Sequence, residues 1–466
     1  MRRGTRSCSA RSAWSPGCCS RWVRSACCSG SPRVDGGCNG WCGQSERGAR
    51  HRRAGSARRS CWPSRRRVRQ AARSRAQAAA PRAAGGAAGG AGAASAASAA
   101  SATDAADARC GADWPRWDAF KRAFVSADGR VIDVGSADSR TVSEGQAYGL
   151  FFALVANDRR TFDTILAWTE NNLAQGDLSA RLPAWLWGRA PDGTWRVLDA
   201  NAASDADLWI AYALVEAGRL WHERSYTARG MLLAKRVLDD ETANVPGLGL
   251  TLLPGPTGFA LARDRWRVNP SYSPPQVIRA LAARLPDDRR WAALAASTGR
   301  VLLDTAPKGF APDWALYRAG AGFGPDPQTH AESAYNAIRV YLWAGMLDRA
   351  DPLAAPLLAR FAPFADYIAA HGAPPEKVDT TTGVAGPNDG NGGFSAAAVP
   401  FLDARGQHAL ADAQAARVDA LARESAPGYY TSVLTLFGLG WREGRYRFGA
   451  DGSLDVRWGE RSCVAR

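Results

Sequence analysis

From Trp114 to the end of the chain, apolar residues recur at the 3.6-residue period of a helix, segment after segment, with only short Pro- and Gly-containing loops between. The pattern predicts helices over 144–157, 159–174, 205–222, 226–239, 275–285, 290–305, 332–347, 352–370, 394–403, 408–424 and 429–440. Several, such as 208–220, are apolar nearly all round and must lie inside others that keep a polar face. A single body of paired helices arranged in a ring, an all-α toroid, satisfies both kinds; periodicity alone leaves an α-solenoid open. Strand signal is sparse, with one hairpin expected near 247–261, bounded by Gly249 and Pro254-Gly255. Ser143 before Glu144, Ser204 before Asp205 and Asp351 before Pro352 are the expected caps.

The 466 residues carry 59 Lys plus Arg against 44 Asp plus Glu, a formal charge of +15 that taken whole suggests nucleic acid. Residues 1–110 hold 21 basic and 4 acidic side chains, so the rest holds 38 and 40: a net of +17 against −2. The helical body is nearly neutral, which excludes a polyanion-binding role. Residues 1–77, rich in Arg, Ser, Gly and Cys, lack the apolar surface to offset their ordering entropy. They are expected to be disordered, or to lie outside the natural product through a start codon assigned too far upstream in a GC-rich gene. Residues 78–109 are an Ala/Gly/Ser tract after Arg65-Arg66-Arg67; they read as a linker or as an export-signal remnant without a strong hydrophobic stretch.

Eight of the ten cysteines lie in the first 61 residues, and Cys110 and Cys463 bracket the helical body. A disulfide between these two would tie its ends together and calls for an oxidising compartment, periplasmic or secreted; two buried free thiols are the alternative. His51, His222, His330, His371 and His408 have no zinc-holding spacing, so no metal is expected. No apolar run is long enough to span a membrane. No coiled coil or exposed repeat demands an oligomer, and a monomer is expected.

The chain has no phosphate loop, no Gly-x-Ser-x-Gly elbow and no His-Glu-x-x-His, which leaves carboxylates in an aromatic setting. Glu144 lies on the first turn of an apolar helix, where it either complements the helix dipole or, desolvated by Tyr148 and Phe151, serves as a general acid. In Ser204-Asp205-Ala206-Asp207 the two acids are about 200° apart round a helix and cannot share a cleft. Asp207 fits a capping box with Ser204, which leaves Asp205 for a site. Trp185 and Trp187, with the segments 266–272 and 313–317, put rings on loops, and flat rings suit the C–H faces of sugars. For any single Trp among the eighteen, core packing is the alternative.

The run Ala203-Ser204-Asp205-Ala206-Asp207, followed by Ile210-Ala211, Ala213-Leu214, Ala217 and Trp221, resembles the signature of glycoside hydrolase family 8. Within that family it is most similar to the periplasmic endo-1,4-β-glucanases encoded with bacterial cellulose synthase. The likeness extends over 110–463 through Ser143-Glu144-Gly145-Gln146, Leu182-Pro183-Ala184-Trp185-Leu186-Trp187-Gly188, Asn269-Pro270-Ser271-Tyr272, Ala306-Pro307-Lys308-Gly309-Phe310, Pro374-Pro375-Glu376-Lys377 and Gly393-Phe394-Ser395. The resemblance implies an (α/α)6 barrel that cuts cellulose internally, with inversion and without a cofactor. It also implies a β-1,4-glucan substrate, with chitosan, xylan or mixed-linkage glucan as alternatives, and the cellulose synthase export complex as a partner. It makes Glu144 the proton donor and Asp205 the nucleophile or sugar-distorting carboxylate. The candidate substrate contacts are Tyr148, Trp185, Trp187, Trp209, Tyr335 and Arg339. The base is a departure: where the family reads Tyr-Asp-Ala-Ile-Arg-Val, this chain has Tyr335-Asn336-Ala337-Ile338-Arg339-Val340. An amide cannot take a proton from water near neutral pH, so Asp205 or Glu332 must substitute, or the enzyme is slow, or it is a glucan-binding component with lost catalysis.

Overall fold

The computed structural model describes residues 113–459, which lie within the compact unit Ala97–Arg466. Cys110 and Cys463, with everything expected of residues 1–109, fall outside the described residues.

Six helices form an inner layer: α2 (Ser143–Val155), α4 (Ser204–Leu220), α6 (Pro275–Arg284), α8 (Ile338–Gly345), α11 (Gly392–Ala404) and α13 (Tyr429–Arg442). Around them lie α1 (Pro115–Phe124), α3 (Arg159–Leu173), α5 (Arg224–Asp240), α7 (Arg290–Asp304), the broken pair α9 (Ala354–Arg360) and α10 (Ala362–His371), and α12 (His408–Glu424). The sequence divides them as expected. On α2 every residue but Glu144 is buried, and α8 is buried throughout. On α5 only Tyr226, Gly230, Leu233, Ala234, Val237 and Leu238 are, the one-faced stripe of an outer helix. Inner helices follow one another round the ring, each backed by its outer neighbour, and α1 closes the circle against α13. This is the (α/α)6 barrel.

Aromatic rings fill the axis. Phe437 of α13 packs on Tyr148, Phe152, Trp209 and Trp343 at centroid distances of 5.0, 4.6, 5.5 and 5.3 Å. One end of the ring is floored by the hairpin β11 (Tyr446–Phe448) and β12 (Leu454–Val456). Tyr212 donates its hydroxyl hydrogen to the Gly452 carbonyl (2.9 Å), and the buried Glu216 carboxylate accepts from Leu454 N–H (2.9 Å).

Three expectations need correction. Ser143 and Ser204 do not cap: both are the first helical residues, and their hydroxyls are buried without a partner. The chain instead enters each helix from pairing with a neighbour, Ser143 N–H to Trp185 O (3.0 Å) and Ser204 N–H to Pro254 O (3.1 Å). The expected hairpin at 247–261 lies earlier, as β4 (Thr242–Val245) and β5 (Gly249–Leu252). Beyond it comes a four-stranded antiparallel sheet: β6 (Ala260–Ala262), β7 (Arg265–Val268), β8 (Ala315–Arg318) and β9 (Gly322–Pro325). The helix expected from 332 begins only at Ile338, because Glu332–Ser333 form strand β10 and residues 334–337 a turn. Asp313 holds that turn, its Oδ1 accepting from the backbone N–H groups of Ala334 (2.8 Å), Asn336 (3.1 Å) and Ala337 (2.8 Å).

Candidate active site

Opposite the floor, the N-terminal segments of the inner helices meet. Glu144 opens α2, Asp205 opens α4, Ser271 lies just before α6, and Asn336 and Arg339 stand at the start of α8. The common point is the Arg339 guanidinium, 3 % exposed. Its Nη1 donates to the Glu144 carboxylate, to Asp205 Oδ2 (3.1 Å) and to Tyr148 Oη (3.2 Å). Its Nη2 donates to Ser271 Oγ (3.0 Å) and Asn336 Oδ1 (2.9 Å). Tyr272 offers its ring face to the same cation at 5.6 Å.

One guanidinium cannot neutralise two carboxylates in a site of low polarity. Burial is the largest effect on Asp205 and pushes its carboxyl up to about 7, against the opposing pull of Arg339 and with the negative charge of Glu144 adding to the rise. The cluster therefore retains a proton near neutral pH. Of its two acids, Asp205 is 2 % exposed, while the Glu144 side chain keeps 19 % of its surface open to the cleft. Glu144 is thus the more open of the two acids, with Asp205 behind it.

Asn336 has its amide oxygen saturated, accepting from Arg339 Nη2 and from Asn269 Nδ2 (3.2 Å), while its amide group also donates toward the Asp313 carboxyl. Burial raises that carboxyl above the usual range. Glu332, a suggested substitute base, is instead paired with Lys377 (2.9 Å) on the rim. Asp205 does belong to the cluster.

The candidate ring contacts divide. Trp185 and Tyr335 are half-buried, Tyr335 donating its hydroxyl to Glu376 Oε1 (2.7 Å). Trp209, expected to touch substrate, is fully buried among Tyr148, Phe151 and Phe437, because α4 is buried nearly all round and turns it to the axis. Tyr148 is buried as well; it meets Arg339 from below and does not present a face to the cleft. Trp187, half-buried like Trp185, is stacked against Trp195. Asp207 is not a cap residue: it is buried with its carboxyl against that of Glu241. Reading the sequence for acids and tryptophans missed Asp313, Ser271 and Asn269; the last two stand in the Asn269-Pro270-Ser271-Tyr272 segment, whose signal was its place in the family resemblance. Among the described residues, no three His, Cys, Asp or Glu are grouped to hold a metal ion, and no helix is long and apolar enough to cross a membrane.

Comparison with known proteins gives the family. The family described as glycosyl hydrolases family 8 matches residues 93–444. An endoglucanase of Xanthomonas axonopodis pv. citri is 50 % identical over 364 residues, 77 % of this chain and 92 % of that protein. The endo-1,4-D-glucanase of Vibrio fischeri ES114 superposes with a TM-score of 0.72 at 45 % identity, covering 74 % of this chain and 99 % of that one. The endo-beta-1,4-glucanase CMCax of Acetobacter xylinum gives 0.60 at 28 % identity, over 71 % and 98 %. With its ring of helices, its acid cluster and these relatives across most of its length, the chain belongs to glycosyl hydrolase family 8.

Proposed function

We propose that this glycoside hydrolase is an endoglucanase that hydrolyses internal β-1,4-glucosidic bonds of cellulose by inversion, acting as a monomer outside the cytoplasm in the service of bacterial cellulose synthesis. The observation that carries the reading is the Glu144–Arg339–Asp205 cluster at the open end of the ring, with a proton to give and with Trp185, Tyr272, Trp314 and Tyr335 half-buried near it. Inversion requires an acid on the leaving oxygen and a water activated on the opposite face of the sugar. Glu144 is the acid, and Asp205 braces the sugar next to the scissile bond. Asn336, on the other nitrogen of the same guanidinium, stands where the water is held. The sequence likeness to glucanases encoded with cellulose synthase supports the biological setting and the export complex as partner.

Asn336 also favours a second reading, a glucan-binding component of the synthase machinery with lost catalysis. An amide positions water but cannot accept its proton, and loss of a general base costs a factor of about 10²–10⁴. Reducing-end release from carboxymethyl-cellulose separates the two. The endoglucanase reading expects slow turnover that Glu144→Gln abolishes and that Asn336→Asp raises by about 10²-fold or more. A wild-type rate equal to that of Glu144→Gln, with activity restored by Asn336→Asp, establishes the binding reading. A rate unchanged or lowered by Asn336→Asp removes position 336 from the role of base.

A further inference from the structure

The β2 (Leu186–Arg189) and β3 (Trp195–Asp199) hairpin carries a half-exposed tryptophan that the acid cluster does not use. Trp195 is 48 % exposed. Its ring lies nearly parallel to that of Trp187, at 5.3 Å and 19°. Trp187 in turn meets Trp168 of α3 edge-on at 5.4 Å. The Arg130 guanidinium sits 4.4 Å from the Trp187 ring centre and 4.9 Å from that of Trp195, and is itself fixed by donating from Nε to Thr141 Oγ1 (2.8 Å). The outermost ring is therefore held by a second ring, a buried cation and a helix, at little further cost in side-chain freedom when something stacks on it.

We propose that Trp195 is the platform of an outlying subsite that stacks on a sugar ring of a long β-1,4-glucan chain running to the cleft; this rests on the endoglucanase reading. Strand β1 (Thr141–Val142) pairs with β2 in the register Thr141↔Trp187 and Val142↔Leu186, and runs straight into Ser143 and Glu144. Trp195 pairs with Arg189, two residues further along β2 than Trp187, so the platform lies roughly 20 Å from the acid along this ladder. The chemistry around the ring suits a sugar. Thr194, Arg196 and Asp192, exposed beside it on the turn, offer donors and acceptors to hydroxyls; the last two pair at 2.8 Å, and the exposed Arg189 across the hairpin adds further donors. A single ring is too small for a protein interface, which needs on the order of 1,000 Å². Among the described residues, the other strongly exposed large apolar side chains, Val134, Met231, Leu232, Leu261 and Val384, lie on other segments.

Native electrophoresis of the full chain through gels with and without hydroxyethyl cellulose reads binding whether or not the enzyme turns over. Trp195→Ala is expected to weaken the retardation by roughly three- to ten-fold. Trp195→Tyr should keep most of it, and cleavage of cellotetraose, too short to reach the platform, should be unchanged by Trp195→Ala. Equal retardation of Trp195→Ala and wild type overturns the proposal, as does an equal loss in Trp195→Tyr and Trp195→Ala. Retardation that depends on Trp195 in a protein without hydrolysis would uphold the subsite and overturn the endoglucanase reading instead. Hydrolysis without any retardation of the wild type would do the reverse.

Discussion

Asp207 and Glu241 are two buried carboxyls set against each other, with no basic side chain paired to either among the described residues. Both are fully buried, each is the other's hydrogen-bond neighbour, and no other donor among the described residues reaches their four oxygens. Such a pair is tolerable only while it keeps a proton between its members. Burial holds both carboxyls well above their ordinary range, with the charge of Asp205 adding to the rise. In the unfolded chain the same groups ionise near pH 4. Below that pH the pair contributes its full stability. As pH rises, the folded protein binds more protons than the unfolded chain, and stability falls until the folded pair itself ionises. Asp207→Asn replaces the shared proton with an amide donor and should flatten this slope. Thermal melts at pH 5 and pH 8 are expected to show the variant gaining several degrees on the wild type between the two. Parallel shifts in both proteins would mean that the pair does not titrate with folding.

Between elements, the inner ring depends on backbone meeting backbone. A Cβ placed on Gly438 of α13 would come within 1.8 Å of the Ala396 carbonyl oxygen on α11, and one on Gly345 of α8 within 2.2 Å of Phe401 N on the other flank. Only glycine lets α8, α11 and α13 approach this closely. Gly438→Ala must push two inner helices apart, an overpacking that costs on the order of 3 kcal/mol, and should lower the melting temperature by several degrees with no change in the pH profile of activity. An unshifted melting point would show that the helices have room to separate. Helices of this kind were legible in the sequence because each satisfies its own hydrogen bonds and shows its surroundings in its periodicity. The strands were not. Most are two to four residues long, too short to express a period of two, and a few are joined to segments distant in the chain, as Thr141 is to Trp187. The overlong helix at 332–347 failed for a related reason: Asp313, nineteen residues before Glu332, takes the N–H groups that would have extended it. At the site, Glu144, Asp205, Asn336 and Arg339 were readable as a family pattern and the structure brings them together, but a ring's direction was not readable at all. Trp209 on a helix buried nearly all round faces the axis, while Trp195, passed over on a polar hairpin, faces out.

Over the whole molecule, the ring closes through its first helix. Trp114, Trp117, Phe120 and Phe124 at α1 are buried, with Trp117 and Trp114 packed on Phe152 and Phe120 on Tyr429. Each buried side chain of this size contributes about 1.5–3 kcal/mol, so the four together match the entire stability of an ordinary domain, about 5–15 kcal/mol. A chain starting at residue 126 should therefore lack a cooperative melt, whereas one starting at residue 110 should keep it. A folded 126–466 would show that the ring can stand open. The same closure sets a schedule for synthesis. Arg116 reaches across 327 residues of chain to Glu443, and the hairpin that floors the ring comes later still. Helix pairs can form as the polypeptide leaves the ribosome, but they make an arc with two unsatisfied ends, and the arc has no axis to fill until α13 brings Phe437 to it. Completion is thus a full-length event: a nascent or prematurely ended chain remains an open, apolar crescent, the form that chaperones handle, and the finished enzyme appears only with its last helix.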